Sequence, residues 1–238
     1  MTNTIDPLPG ARTGRDPARA IKRGPRTLPP EVVAATQRER LYDALVHTVA
    51  EKGYTNARVS DICAAAGVTR PAFYALFAGK EDAFLDTYRF GTGVLLRLMD
   101  DAFESETDWR TGARAALRVL LSLLASVPAF ATMAIVEIDA AGPEARRERA
   151  ELLGRFARFF EAAPHPASGP LPEGLIDTVV GGVYSTIYRY VSDGHVDRLP
   201  GLLPMLSYFT MAPFLGREGA ATELTEHSPR SDTDEVFH

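Results

Sequence analysis

A single cysteine, Cys63, excludes an intrachain disulfide and fits a reducing compartment. Histidine is sparse too. His47, His165, His195, His227 and His238 are scattered, and none stands in a metal-ligand spacing such as His-Glu-x-x-His. The chain has no Gly-x-Ser-x-Gly elbow, no P-loop and no glycine-rich nucleotide turn. These gaps argue against an enzyme, and no metal or cofactor is expected. No run approaches the roughly 18–20 apolar residues that span a bilayer. The longest, Val119 to Phe130, is interrupted by Ser122, Ser126 and Pro128. The N-terminal stretch is polar and rich in Pro and Gly, without the apolar core of a signal peptide. No membrane partner is expected, and the expected location is the cytoplasm. No Val/Ile/Thr run alternates with the period of a strand.

What remains is an ordinary globular composition, 45% hydrophobic and 24% charged. At 238 residues a core forms without staples. The net charge of −5 is unevenly spread: residues 1–30 carry +4 and the rest −9. An acidic body with a basic arm suits nucleic-acid contact confined to one end.

Residues 1–30 and 218–238 lack apolar periodicity and are expected to be disordered. Between them the pattern is helical, so the expected fold is all-α. Val32, Val33, Leu41, Leu45, Val46 and Val49 recur at helical spacing up to the stop Lys52-Gly53. Short helices are expected at about 60–66 and 70–77, and a longer one over 80–103. Later helices are expected near 109–126, 128–141, 143–163, 173–194 and 197–216, punctuated by Pro128, Gly142-Pro143, the loop 164–174 and Gly194. The expected division is an arm (1–30), a three-helix unit (31–79), a helical body (80–217) and a tail (218–238).

The segment VSDICAAAGVTRPAFYALF, residues 59–77, meets the constraints of a helix-turn-helix together. Its sharp turn needs a residue at positive φ, supplied by Gly67. Cys63 is small where the second helix crosses the first. Ile62, Val68 and Phe73 are spaced to pin both helices to a core. Thr69 can cap the second helix, and Pro71 is harmless in its first turn.

Residues 36–90 resemble the DNA-binding domain of the TetR family of bacterial regulators. The likeness rests on Glu51-Lys52-Gly53-Tyr54, Val59-x-Asp61-Ile62, Ala66-Gly67-Val68-Thr69, Phe73-Tyr74-x-x-Phe77 and Gly79-Lys80-Glu81-Asp82-x-Phe84. Leu199-Pro200 through Gly216 is similar to the last helix of many members.

The resemblance implies that the helix from Thr69 enters the major groove of operator DNA. Arg70 then reads a base or grips a phosphate, and Thr69, Pro71 and Ala72 add hydroxyl or apolar contacts. Tyr74 and Lys80 resemble family phosphate contacts, against packing and a solvated charge as the alternatives. Many members carry Ser or Thr at position 58. Arg58 cannot cap but reaches a phosphate, and Ser60 is a shifted cap. The arm Arg19 to Arg26 either enters a minor groove or is a solvated tail.

The resemblance further implies a homodimer on a near-palindromic operator, acting most simply as a repressor, with a small-molecule effector in the body. Dimer candidates are Val180, Val183, Ile187, Val191, Leu202, Leu206 and Phe209. Candidate pocket residues are Phe103, Trp109, Leu121, Phe130, Met133, Glu137, Phe160, Tyr184 and Tyr188. Glu137, alone on an apolar stripe, bonds a ligand or pairs with a base such as Arg114 or Arg118. The competing expectation is a helical ligand-binding or protein-interaction protein that has lost operator recognition.

Overall fold

The computed structural model describes residues 7–16, 29–165 and 169–225, and among these there is no strand. Nine α-helices follow in order: α1 (Pro30–Lys52), α2 (Val59–Ala66), α3 (Arg70–Tyr74), α4 (Lys80–Glu104), α5 (Trp109–Ser126), α6 (Pro128–Ala131), α7 (Pro143–Arg155), α8 (Leu175–Ser192) and α9 (Leu203–Thr225) among the described residues. α6 continues as a π-helical stretch, Thr132–Val136, and then a 3-10 stretch, Glu137–Ala141. Further 3-10 turns follow α7 (Phe156–Phe160) and precede α9 (Val196–Leu202).

The caps explain the boundaries. Gly67 ends α2 at φ 62°, in the left-handed region where glycine carries no Cβ penalty. Asp108 accepts the amides of Arg110 and Thr111 at the start of α5. Pro128 begins α6, which leaves α5 at a bend of 104°. The expected helix 70–77 is shorter, because α3 gives way to a turn after Tyr74.

α4 joins head to body. Its first half buries Ala83, Phe84, Thr87 and Tyr88, and its second half buries Leu95, Leu96 and Met99. The Tyr42 hydroxyl donates to Asp86 at 2.7 Å, and Arg38 pairs with the same carboxylate, so α1 is clasped to α4. At Gly91 a Cβ would lie 2.3 Å from the Phe130 ring, so only glycine lets α6 approach α4 this closely.

Both terminal expectations need correction. Residues 7–16 are an ordered strap rather than part of a disordered arm. Leu8 is buried, Gly10 donates its N–H to Asp43 at 2.7 Å, and Arg40 donates to the Gly14 carbonyl at 2.9 Å. Arg15 reaches the Ala64 carbonyl near the end of α2. The basic arm Arg19–Arg26 lies outside the described residues.

At the other end, the helix breaks at Gly216, where it was expected to stop, but continues to Thr225. There Glu223, buried, pairs with Arg110 at 2.6 Å and Arg114 at 2.9 Å. By length and composition Val196–Leu224 is also apolar enough to cross a membrane, although no unbroken apolar run marks it. Leu199, Leu202, Leu206, Met211 and Phe214 are buried on this stretch, which packs against α5. That packing accounts for its apolarity.

Candidate DNA-reading head and effector cavity

The head is built on a small, dry core. Ile62, Cys63, Ala66, Val68, Phe73 and Phe77 are all buried, as the spacing requires. Burial pushes the Cys63 thiol upward, which leaves it a neutral packing group. Thr69 caps α3 by accepting the Ala72 amide, at a long 3.4 Å. Arg58 precedes α2 and donates its backbone N–H to Asp61, which also pairs with Lys52 at 3.1 Å. The hydrogen bond from Lys52 holds the Asp61 carboxyl below the usual range. Ser60 lies inside the first turn of α2, so it is not the shifted cap.

Of the eight candidate contacts, Arg58, Ser60, Thr69, Arg70, Pro71 and Tyr74 are exposed, and Ala72 is half-buried. Tyr74 projects outward at 50% exposure while its ring edge rests on buried Phe73, 5.3 Å between centroids. Lys80 is not the solvated charge that stood as the alternative to a phosphate contact. Its ammonium donates to the carbonyls of Tyr54 at 2.7 Å and Ala57 at 3.0 Å, and sits 4.2 Å from the Tyr54 ring centre. Desolvation there lowers its pKa from the ordinary lysine value. It clamps the loop between α1 and α2.

The body holds a partly open cavity of about 110 Å³ lined from α4, α5, α6, the π-helical stretch, α7 with the 3-10 turn that follows it, α8 and α9. Its walls are apolar: Leu95, Leu120, Leu124, Phe130, Phe156 and Val183 are typical. The polar lining is sparse. Tyr184 donates to the Ile135 carbonyl at 3.0 Å and lies 3.4 Å from Arg149. Thr210 lines the same cavity, and its buried hydroxyl has no hydrogen-bond partner.

Among the pocket candidates, Phe130, Phe160 and Tyr184 line this cavity. Leu121 and Met133 are fully buried core, and Tyr188 faces outward. Phe103 packs over Gly112. Trp109 is an anchor: its indole N–H donates to the Phe159 carbonyl at 2.7 Å and its ring packs on Phe214. Among the described residues Glu137 pairs with neither Arg114 nor Arg118, and it does not line the cavity. Its Oε2 accepts the Tyr54 amide at 2.7 Å, at the end of α1.

The dimer candidates also sort differently. Val180, Val183 and Ile187 line the cavity, while Val191, Leu202 and Leu206 are buried in the core. Only Phe209 faces out. Its ring packs where a Cβ on Gly182 would stand, 2.8 Å away. Tyr188 on α8 and Met205 on α9 are exposed apolar side chains as well. Apolar periodicity announced these helices, but it could not say which of their faces looked inward.

A tight helix-turn-helix with an outward second helix, carried on an all-α body, defines a helical DNA-binding transcriptional regulator. Residues 41–87 match the family model of bacterial regulatory proteins, tetR family. Residues 41–87 thus form a TetR-family DNA-binding head.

It is 25% identical over 138 residues to the fatty acid metabolism regulator protein of Bacillus subtilis, covering 57% of this chain and 71% of that protein. The structure of the fatty acid degradation regulator FadR from Bacillus halodurans aligns at TM-score 0.63 and 20% identity, covering 72% of this chain and 96% of that one. FadR from Bacillus subtilis, solved with stearoyl-CoA, aligns at TM-score 0.61 and 22% identity, covering 74% and 97%. At such identities the structural likeness shows a shared fold.

Proposed function

We propose that the protein is a repressor that binds a near-palindromic operator as a homodimer and releases it when an acyl-chain ligand enters the body. The observation that carries the DNA reading is the exposed edge of α3, Thr69, Arg70, Pro71 and Tyr74, held over a fully buried Phe73. Arg70 is the base reader, with its guanidinium suited to guanine O6 and N7. Arg58, Ser60 and Tyr74 fix orientation on phosphates, and Ala72 adds an apolar contact. Lys80 positions the loop ahead of α2 and keeps one N–H for phosphate. The head comprises residues 31–79 and the effector-binding, dimerising body begins at 80. The face of Tyr188, Met205 and Phe209 is the dimer contact. The protein acts in the cytoplasm, where its DNA is.

The apolar cavity supports an effector with a long hydrocarbon part, and FadR's stearoyl-CoA supplies a ligand of that kind. Titrating saturated acyl-CoAs of increasing length, with the single tryptophan Trp109 as reporter, tests this. Affinity should strengthen by up to about 0.8 kcal/mol per added methylene until the cavity is full. Affinity independent of chain length would contradict an acyl site.

A further inference from the structure

We propose that Glu137 is a positioning residue for the reading head: it latches the cavity wall to the loop ahead of α2, and Lys80 passes that position on. The proposal rests on the effector reading above. It begins with backbone geometry. From Thr132 to Ala141 the chain is first π-helical and then 3-10. Wide and narrow turns in succession often mark a functional hinge, where hydrogen-bond register can shift without unfolding. Ala134 and Ile135, inside this stretch, line the cavity, and the Ile135 carbonyl is held by the lining residue Tyr184.

Two residues further on, the Glu137 carboxylate accepts the Tyr54 N–H at 2.7 Å. The carbonyl of Tyr54 accepts from Lys80 at 2.7 Å, and the same ammonium bonds the carbonyl of Ala57 at 3.0 Å. Ala57 immediately precedes Arg58, the N-cap residue of α2. A continuous polar chain therefore runs from cavity wall to helix-turn-helix.

A ligand that wedges Ala134 and Ile135 outward carries Glu137 away from Tyr54. The loop then loses the hold at its Tyr54 N–H, and the orientation of α2 and α3 loosens. Coupling of this kind is a difference in ligand affinity between latched and unlatched states. Lys80 opens α4, so this route and any tilt of α4 act on the same residue.

The test uses the full-length protein and a duplex selected by the wild type from a random pool. Operator affinity is measured by fluorescence anisotropy for wild type, Glu137→Ala and Glu137→Gln, each with and without stearoyl-CoA. Without ligand, Glu137→Ala should bind the duplex about tenfold more weakly, as loss of a charged hydrogen bond implies. Glu137→Gln keeps an acceptor oxygen and should recover most of that affinity.

With stearoyl-CoA, the wild type should lose operator affinity, whereas the ratio for Glu137→Ala should fall close to one. Its affinity for stearoyl-CoA should be equal or tighter, since binding no longer breaks the latch; damage to the fold would weaken it. Equal operator affinity for Glu137→Ala and wild type overturns the latch, as does equal loss in both variants. A wild type that binds the duplex but ignores stearoyl-CoA counts against the effector reading instead. The ligand-free comparison still decides Glu137 in that case.

Discussion

Arg70 stands at the start of α3 and is the one charged side chain on that helix. Arg70→Ala should weaken operator binding by about 1–3 kcal/mol and relax preference at one base pair. Tyr74→Phe, which removes only the exposed phenolic hydroxyl, should weaken binding equally across sequences if that hydroxyl meets a phosphate as proposed. A gel-shift titration against matched and mismatched duplexes separates the two. Phe73, beneath them, is core. Phe73→Ala should cost about 3–5 kcal/mol of stability, visible in denaturant unfolding. The residues that scaffold this motif were legible in sequence because a sharp turn admits few solutions. Gly67 must take positive φ, and Ile62, Val68 and Phe73 must face one core. Lys80 was less legible, since nothing in its neighbours revealed that its ammonium would meet the carbonyls of Tyr54 and Ala57.

At the scale of elements, α5 and α9 close the body where sequence patterning is weakest. The segment after Gly216 has few large apolar residues, which led to an expectation of disorder. It is held instead by Glu223, whose partners Arg110 and Arg114 lie over a hundred residues away. Long-range ion pairs leave no periodic trace. Glu223→Ala takes a carboxylate from buried Arg114 and from part-exposed Arg110, and should destabilise the fold by on the order of 3 kcal/mol.

The cap of α5 gives a pH signature. Hydrogen bonds from Thr111, first from its backbone, hold the Asp108 carboxyl below the usual aspartate range. A depressed folded pKa contributes stability that is present above the unfolded pKa and lost as pH falls through the folded value. Thermal melts should therefore show Asp108→Ala less stable than wild type at neutral pH, with the difference closing in acid. The strap of residues 7–16 was illegible for a different reason. Its contacts are mostly backbone, and Leu8 is its one large buried side chain.

For the whole molecule, the all-α architecture and the order of helices followed from periodicity and from Pro and Gly punctuation. The assignment of inner and outer faces did not. Val180, Val183 and Ile187 were apolar enough for a dimer contact, yet they line the cavity, and the outward face rests on Tyr188, Met205 and Phe209. In the proposed dimer, Phe209→Glu should place a charge at the contact and shift the protein toward monomer, measured by sedimentation velocity. Operator affinity should fall with it, since a monomer engages one half-site.

The central claim is that residues 59–77 read DNA. Selection of duplexes from a random pool by the full-length protein tests it most directly. The expected result is enrichment of an inverted repeat with half-site centres about one helical turn, roughly 34 Å, apart. A pool that emerges without sequence enrichment would contradict it.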